Sequence, residues 1–130
     1  MTASKKPLLI LIGTGLAGFM VGVDYSIVNA TLPTIQSSLH ITIGQLQWLM
    51  AGFGIAFCSL LVALGRLADI KGRRKILYIG LIGFALSSLL AGLSNVPLLL
   101  IIARFLQGVF GAAMFPSGMA IVADAYSDDR

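Results

Sequence analysis

Two ionisable residues stand inside long apolar runs of this sequence, and their types and spacing allow chemistry within a membrane. Asp24 interrupts a run that begins at Leu8, and Arg104 interrupts one that begins at Pro97. If both runs cross a bilayer as helices, each charge costs about 2.5–3.5 kcal/mol at the helix centre and needs a partner or a watery cavity. A helix rises about 1.5 Å per residue, which places the two within about 5 Å in depth. The sequence therefore predicts that Asp24 and Arg104 can pair between two helices.

Two roles for such a pair remain open on the residues alone. A carboxylate beside a cation can take up and release protons, with an affinity that the cation tunes. Alternatively, the pair is a static structural bridge, or Asp24 extends to the outer surface. Gln107 follows Arg104 by one turn on the same helix face, where it can line a cavity or bond a neighbouring helix.

The composition supports the assumption of a membrane. The chain is 58% apolar and 11% charged, whereas soluble domains are about a quarter charged. Four segments approach or exceed the roughly 20 apolar residues that a spanning helix needs, at about 8–30, 45–65, 76–94 and 97–123. The sequence thus predicts an all-α membrane protein of four transmembrane helices.

The basic residues fix the expected orientation. Segment 65–75 reads GRLADIKGRRK and carries five of them, and Lys5 and Lys6 precede the first span. The segments 33–42 and 94–97 contain neither Lys nor Arg. Because basic loops stay in the cytoplasm, we expect a cytoplasmic N-terminus and a short cytoplasmic loop at 65–75.

Other chemistry is disfavoured. The net charge of +4 does not form a broad patch but short clusters at the ends of apolar runs, so no nucleic-acid partner is expected. Cys58 and His40 stand alone, which leaves no metal site and no catalytic group to propose. Gly13–Gly18 spells GxGxxG, the pattern of a dinucleotide-binding turn. Its surroundings stay apolar, however, so close helix packing is the expected role.

Three stretches resemble signatures of a known family. Gly65–Lys75 resembles the loop between helices two and three of the major facilitator superfamily. Arg104–Ala113, RFLQGVFGAA, resembles the helix-four signature of its proton-coupled antiporters. Asp24–Ile35, DYSIVNATLPTI, resembles the helix-one signature of its drug:proton antiporters, especially the fourteen-helix branch. The stretches occur in the family's order and spacing, although Ile70 stands where the family often has a basic residue. Since members have twelve or fourteen spans, the resemblance implies an N-terminal fragment of a larger transporter.

The resemblance also implies a function and a set of site residues. It implies multidrug efflux coupled to protons, with the proton gradient as energy source and no cofactor. The expected partners are the lipid bilayer, a small drug-like substrate, protons and the remaining helices, in a plasma membrane such as the bacterial inner membrane. The implied proton-coupling residues are Asp24 and Arg104. Asn29 and Gln107 are implied to line a cavity. Gly108 and Gly111 are implied to pack against neighbouring helices. A conformational latch at the cytoplasmic side comprises Gly65, Asp69, Gly72, Arg73, Arg74 and Asp124.

Two further interpretations stay open. One is a superfamily symporter with another class of substrate. The other is a complete small four-helix membrane protein, such as a dimeric exporter. Small exporters of that type rely on a glutamate in their first span, and this chain contains no glutamate.

Overall fold

The structure, a computed structural model, describes residues 5–127 as four helices. These are α1 (Lys5–Leu39), α2 (Ile43–Lys71), α3 (Arg73–Leu93) and α4 (Pro97–Ser127). Each is long and apolar enough to cross a membrane. The prediction of an all-α fold with four transmembrane helices is therefore confirmed.

The helices extend beyond the predicted spans at the connection between α1 and α2. The segment 33–42, which lies between two predicted spans, is helical as far as Leu39, with Pro33 inside the helix. His40 then adopts φ 49° and ends the helix. Thr42 begins α2 with a capping box, since its hydroxyl accepts the Gln45 N–H and the Gln45 side chain accepts the Thr42 N–H.

The predicted cytoplasmic loop at 65–75 is also mostly helical, which corrects that expectation. Gly72 alone separates α2 from α3, and its N–H donates to the Ala68 carbonyl. Its φ of 103° lies where side chains are rarely tolerated, so glycine is what permits this turn. The reason for the difference is that a helix satisfies its own backbone groups on both sides of the membrane surface, so polarity alone does not end it.

The core of the bundle forms around α4, which packs mainly against α2 and α3. Glycine allows the closest approach to α2, because a Cβ on Gly108 would lie 2.5 Å from the Phe53 carbonyl oxygen. A Cβ on Gly111 would lie 3.3 Å from the Phe57 ring. On α3, Gly83 faces the Phe110 ring, which leaves no room for a Cβ, and no sequence pattern predicts this contact.

Helix α1 is the least buried of the four. Only 6% of the residues in its most apolar stretch are buried, against 50% in the corresponding stretch of α4. A Cβ on Gly13, Gly15 or Gly18 would meet no atom within 4 Å among the described residues. The glycines themselves therefore make no close contact within this part of the chain. The segment 13–18 packs on α4 through its other small residues, since Thr14 lies next to Gly118 and Ala17 is buried in a core cluster with Met114.

Candidate functional site

A polar network joins α1, α3 and α4 within the apolar bundle. Arg104 on α4 donates through Nη1 to Asp24 Oδ2 on α1 at 2.6 Å, and to Gln107 Oε1 at 2.9 Å. The structure thus brings together Asp24 and Arg104, the two charged residues that their matching depths along the helices predicted could pair.

Gln107 closes the network into a ring. Its Nε2 donates to Asp24 Oδ1 at 2.8 Å and to Ser88 Oγ on α3 at 2.8 Å. Both oxygens of Asp24 therefore accept an N–H, one from a charged donor and one from a neutral donor. Ser88 was missed from the sequence, although a Ser87-Ser88 pair inside an apolar span was a signal that could have indicated it.

Burial makes this network energetically important. Arg104 and Gln107 are each 1% exposed, and the Asp24 side chain is 18% exposed. Removing one partner of a buried ion pair costs about 3–5 kcal/mol, because an uncompensated charge remains. The Phe53 ring supplies Arg104 with a second contact, since its centroid lies 4.7 Å from the guanidinium carbon.

A cavity of about 230 Å³ adjoins the network. Asp24, Ser88, Arg104 and Gln107 supply its polar wall, and the remaining wall is largely apolar, lined by residues that include Ile27, Val28, Ile35, Leu49 and Leu100. The volume is sufficient for water molecules beside the carboxylate. The arrangement can therefore hold a proton-accepting group next to a fixed cation, with space through which water can reach it.

Asn29, the other residue expected to line a cavity, lies outside this network. Its side-chain amide donates to the Tyr25 carbonyl one turn earlier on the same helix, at 2.9 Å. It is not among the residues that line the cavity beside Asp24. The structure thus separates Asn29 from the residues with which the resemblance grouped it.

A second charge cluster lies at the end of the bundle where α2 meets α3. Arg73 donates through Nε to Asp69 Oδ1 at 2.8 Å. Its Nη1 donates to the Asp124 carboxylate and, at 3.3 Å, to the Ala120 carbonyl. One guanidinium at the start of α3 thus ties the last turns of α2 and α4 together.

The other residues of the expected latch have different surroundings. A Cβ on Gly65 would lie 3.3 Å from Pro116, so this glycine lets α2 approach α4 near the cluster. Arg74 is exposed and forms no ion pair with any residue between 5 and 127. Whether the cluster changes between two conformations stays a prediction.

Comparison with known proteins identifies the family. The model of the Major Facilitator Superfamily matches residues 14–130. A puromycin resistance protein of Streptomyces alboniger is 39% identical over 112 residues, which are 86% of this chain and 22% of that protein. A lincomycin resistance protein of Streptomyces lincolnensis is 37% identical over 120 residues, 92% of this chain and 25% of that protein.

A mycobacterial relative covers nearly the whole chain. The multidrug resistance protein Stp of Mycobacterium tuberculosis strain H37Rv is 36% identical over 127 residues, which are 98% of this chain and 24% of that protein. The chain spans about a fifth to a quarter of the length of these three relatives. With its four membrane-spanning helices it is part of a multi-pass membrane protein. The resemblance that the sequence motifs carry is confirmed, and the chain belongs to the major facilitator superfamily.

Proposed function

We propose that these four helices form the proton-coupling part of a membrane exporter for small, lipophilic, drug-like molecules. The proton gradient drives the export, and no cofactor takes part. The observation that carries the proposal is the buried ring of Asp24, Arg104 and Gln107 beside a cavity. The relatives named for resistance to puromycin and lincomycin support the substrate class. Because the chain spans only a part of their length, the activity is that of the full-length protein.

The coupling follows from the charge balance of the site. Ionised Asp24 binds Arg104 and Gln107 and so holds α1 against α4. A proton on Asp24 cancels its charge and weakens the attraction to Arg104. The Arg104 cation then keeps its contacts with Gln107 and the Phe53 ring. Since α1 packs mainly on α4, this step loosens the contact that positions α1. Protonation is thereby linked to a change of helix arrangement, as proton-driven transport requires.

The second charge cluster acts as the latch on the opposite side of the membrane from the site's cavity. Arg73 joins three helices in this conformation, and a rearrangement that separates α2 from α4 must break its bonds. We place this end of the bundle, with the N-terminus, in the cytoplasm, and the protein in the plasma membrane, because segment 65–75 carries the basic residues.

Asp24→Asn in the natural full-length form tests the proposal. Asparagine keeps the size of the side chain but cannot exchange a proton. We expect loss of export driven by an imposed proton gradient. Because the variant also leaves the buried Arg104 without its anionic partner, the rate is expressed per molecule of folded protein in the membrane. Efflux of puromycin and ethidium from loaded cells, and their uptake into everted vesicles, measure this.

Ser26→Ala is the matched control. Ser26 lies two residues further along α1, is exposed, and bonds only the Gly22 carbonyl of its own helix among the described residues. This variant should export at the parental rate. Undiminished gradient-driven export by Asp24→Asn would show that Asp24 does not carry the coupling proton.

A further inference from the structure

Ser88 is the residue through which α3 joins the polar network. Its Oγ accepts a hydrogen bond from Gln107 Nε2 at 2.8 Å, and it lines the cavity beside Asp24. We propose that Ser88 is a positioning residue, which holds the Gln107 amide in place so that its N–H stays directed at the Asp24 carboxylate. The proposal rests on the proposed function, because Asp24 is the proton-binding group in both.

The Gln107 amide needs the hydrogen bond to Ser88 because its oxygen is an acceptor and its nitrogen is a donor. Its oxygen accepts from Arg104, and its nitrogen donates to Asp24 and to Ser88. A turn of the amide by half a rotation would place its oxygen against the Asp24 carboxylate, where two acceptors repel each other. With Arg104 on the oxygen and Ser88 on the second N–H, the first N–H stays directed at Asp24 Oδ1.

Ser88 is free for this task, unlike its neighbour. Ser87 donates its hydroxyl to the Gly83 and Phe84 carbonyls of α3 itself, at 2.8 and 3.0 Å, and is buried away from the network. Back-bonding of this kind is the usual arrangement for serine in a helix. Ser88 instead accepts a hydrogen bond from Gln107 on α4. The two adjacent serines therefore have different partners.

The donated bond affects the proton on Asp24. A hydrogen bond donated to a carboxylate interacts differently with its ionised and its protonated form. The charged group that faces Asp24 from α4 is Arg104. The nearest charged residues of α3 and α2, Lys75 and Arg66, lie thirteen residues from Ser88 and Phe53 respectively, about 20 Å along each helix. On α1 itself, the neighbouring Tyr25 packs its ring towards Phe53. Gln107 is thus the donor whose orientation a change on α3 can alter.

An infrared titration of the purified full-length protein tests the proposal without knowledge of the substrate. The carboxyl stretching band that Asp24→Asn removes reports the protonated form of Asp24, and its midpoint is read against pH. Ser88→Ala removes the second partner of the Gln107 amide and frees that amide to turn, so its midpoint should differ from the parental one. Ser88→Thr keeps a hydroxyl and should restore the parental midpoint. Ser87→Ala is the control. It removes a hydroxyl from the adjacent position and should leave the midpoint unchanged.

The outcomes separate this proposal from the proposed function. A midpoint for Ser88→Ala equal to that of Ser87→Ala overturns the role of Ser88. So does an equal shift in Ser88→Ala and Ser88→Thr, which would indicate packing rather than hydrogen bonding. If Asp24→Asn removes no titrating band, both proposals fail. If the band shifts as expected but Asp24→Asn still exports, the positioning role stands and the coupling role of Asp24 is lost.

Discussion

Gly108→Ala tests how the approach of α2 to α4 supports the buried network. The added Cβ would lie 2.5 Å from the Phe53 carbonyl oxygen and 2.8 Å from the Ala56 Cβ. Close carbon–oxygen contacts between helices are about 3.3–3.6 Å, so the two helices must separate by roughly 1 Å. Neither obstructing atom can rotate away, because one belongs to the backbone and the other to a Cβ.

The expected cost follows from two opposing effects. Overpacking of this kind costs about 1–3 kcal/mol. Replacing a helical glycine with alanine returns up to about 1 kcal/mol through helix propensity. We therefore expect a net loss of about 1–2 kcal/mol in the free energy of unfolding. The same Phe53 covers Arg104, so we also expect slower export although no polar atom has been removed.

Thermal melting of the purified full-length protein in detergent, followed by size-exclusion chromatography, measures the first effect. Gly54→Ala is the control on α2, since a Cβ there meets no atom within 4 Å among the described residues. It should melt at or above the parental temperature. If Gly108→Ala has the same melting temperature as Gly54→Ala, α2 and α4 are not held at the distance that the structure gives, and the reasoning is refuted.

Two further predictions concern the turn between α2 and α3. Arg73→Lys keeps the charge but loses the planar group whose Nε and Nη1 reach different carboxylates, so export should slow. Arg74→Lys, at an exposed position, should export like the parent; equal rates for the two variants would contradict the role given to Arg73. Gly72→Ala forces a side chain to φ 103° and should cost about 1–3 kcal/mol of stability in the melting assay. Gly44→Ala is its control, and indistinguishable melting of the two would count against strain at Gly72.

Residue type and spacing were sufficient to predict the spans and the pairing of Asp24 with Arg104. Both results depend on quantities that a sequence carries directly, namely the length of apolar runs and the depth of a residue along a helix. A charge in an apolar run must find a partner, so two charges at matching depth predict each other. The helix-packing role of Gly108 was implied by the family resemblance instead, and in the structure Gly108 lies against the Phe53 backbone.

Other features depend on how the helices are rotated about their axes, which no local pattern determines. Gly83 and Gly18 both lie in apolar spans, yet a Cβ on Gly83 would clash with Phe110, whereas a Cβ on Gly18 would meet no atom within 4 Å among the described residues. Ser87 and Ser88 are the same residue type at adjacent positions, and only the rotation of α3 decides which of them reaches Gln107. The ends of α1 and α2 were placed too early because the spans were judged by hydropathy, whereas helices continue until a residue such as Gly72 breaks them.

The separation of Asp24 and Arg104 by 80 residues bears on how the protein is made. Synthesis proceeds from the N-terminus at about 5–20 residues per second, so α1 is made roughly 4–16 seconds before Arg104 is added. During that interval the Arg104 guanidinium does not yet exist, and the hydropathy of the rest of α1 must suffice to insert the helix. The bond between Asp24 and Arg104 therefore belongs to the assembly of helices already in the bilayer, and α4 is the element that captures α1.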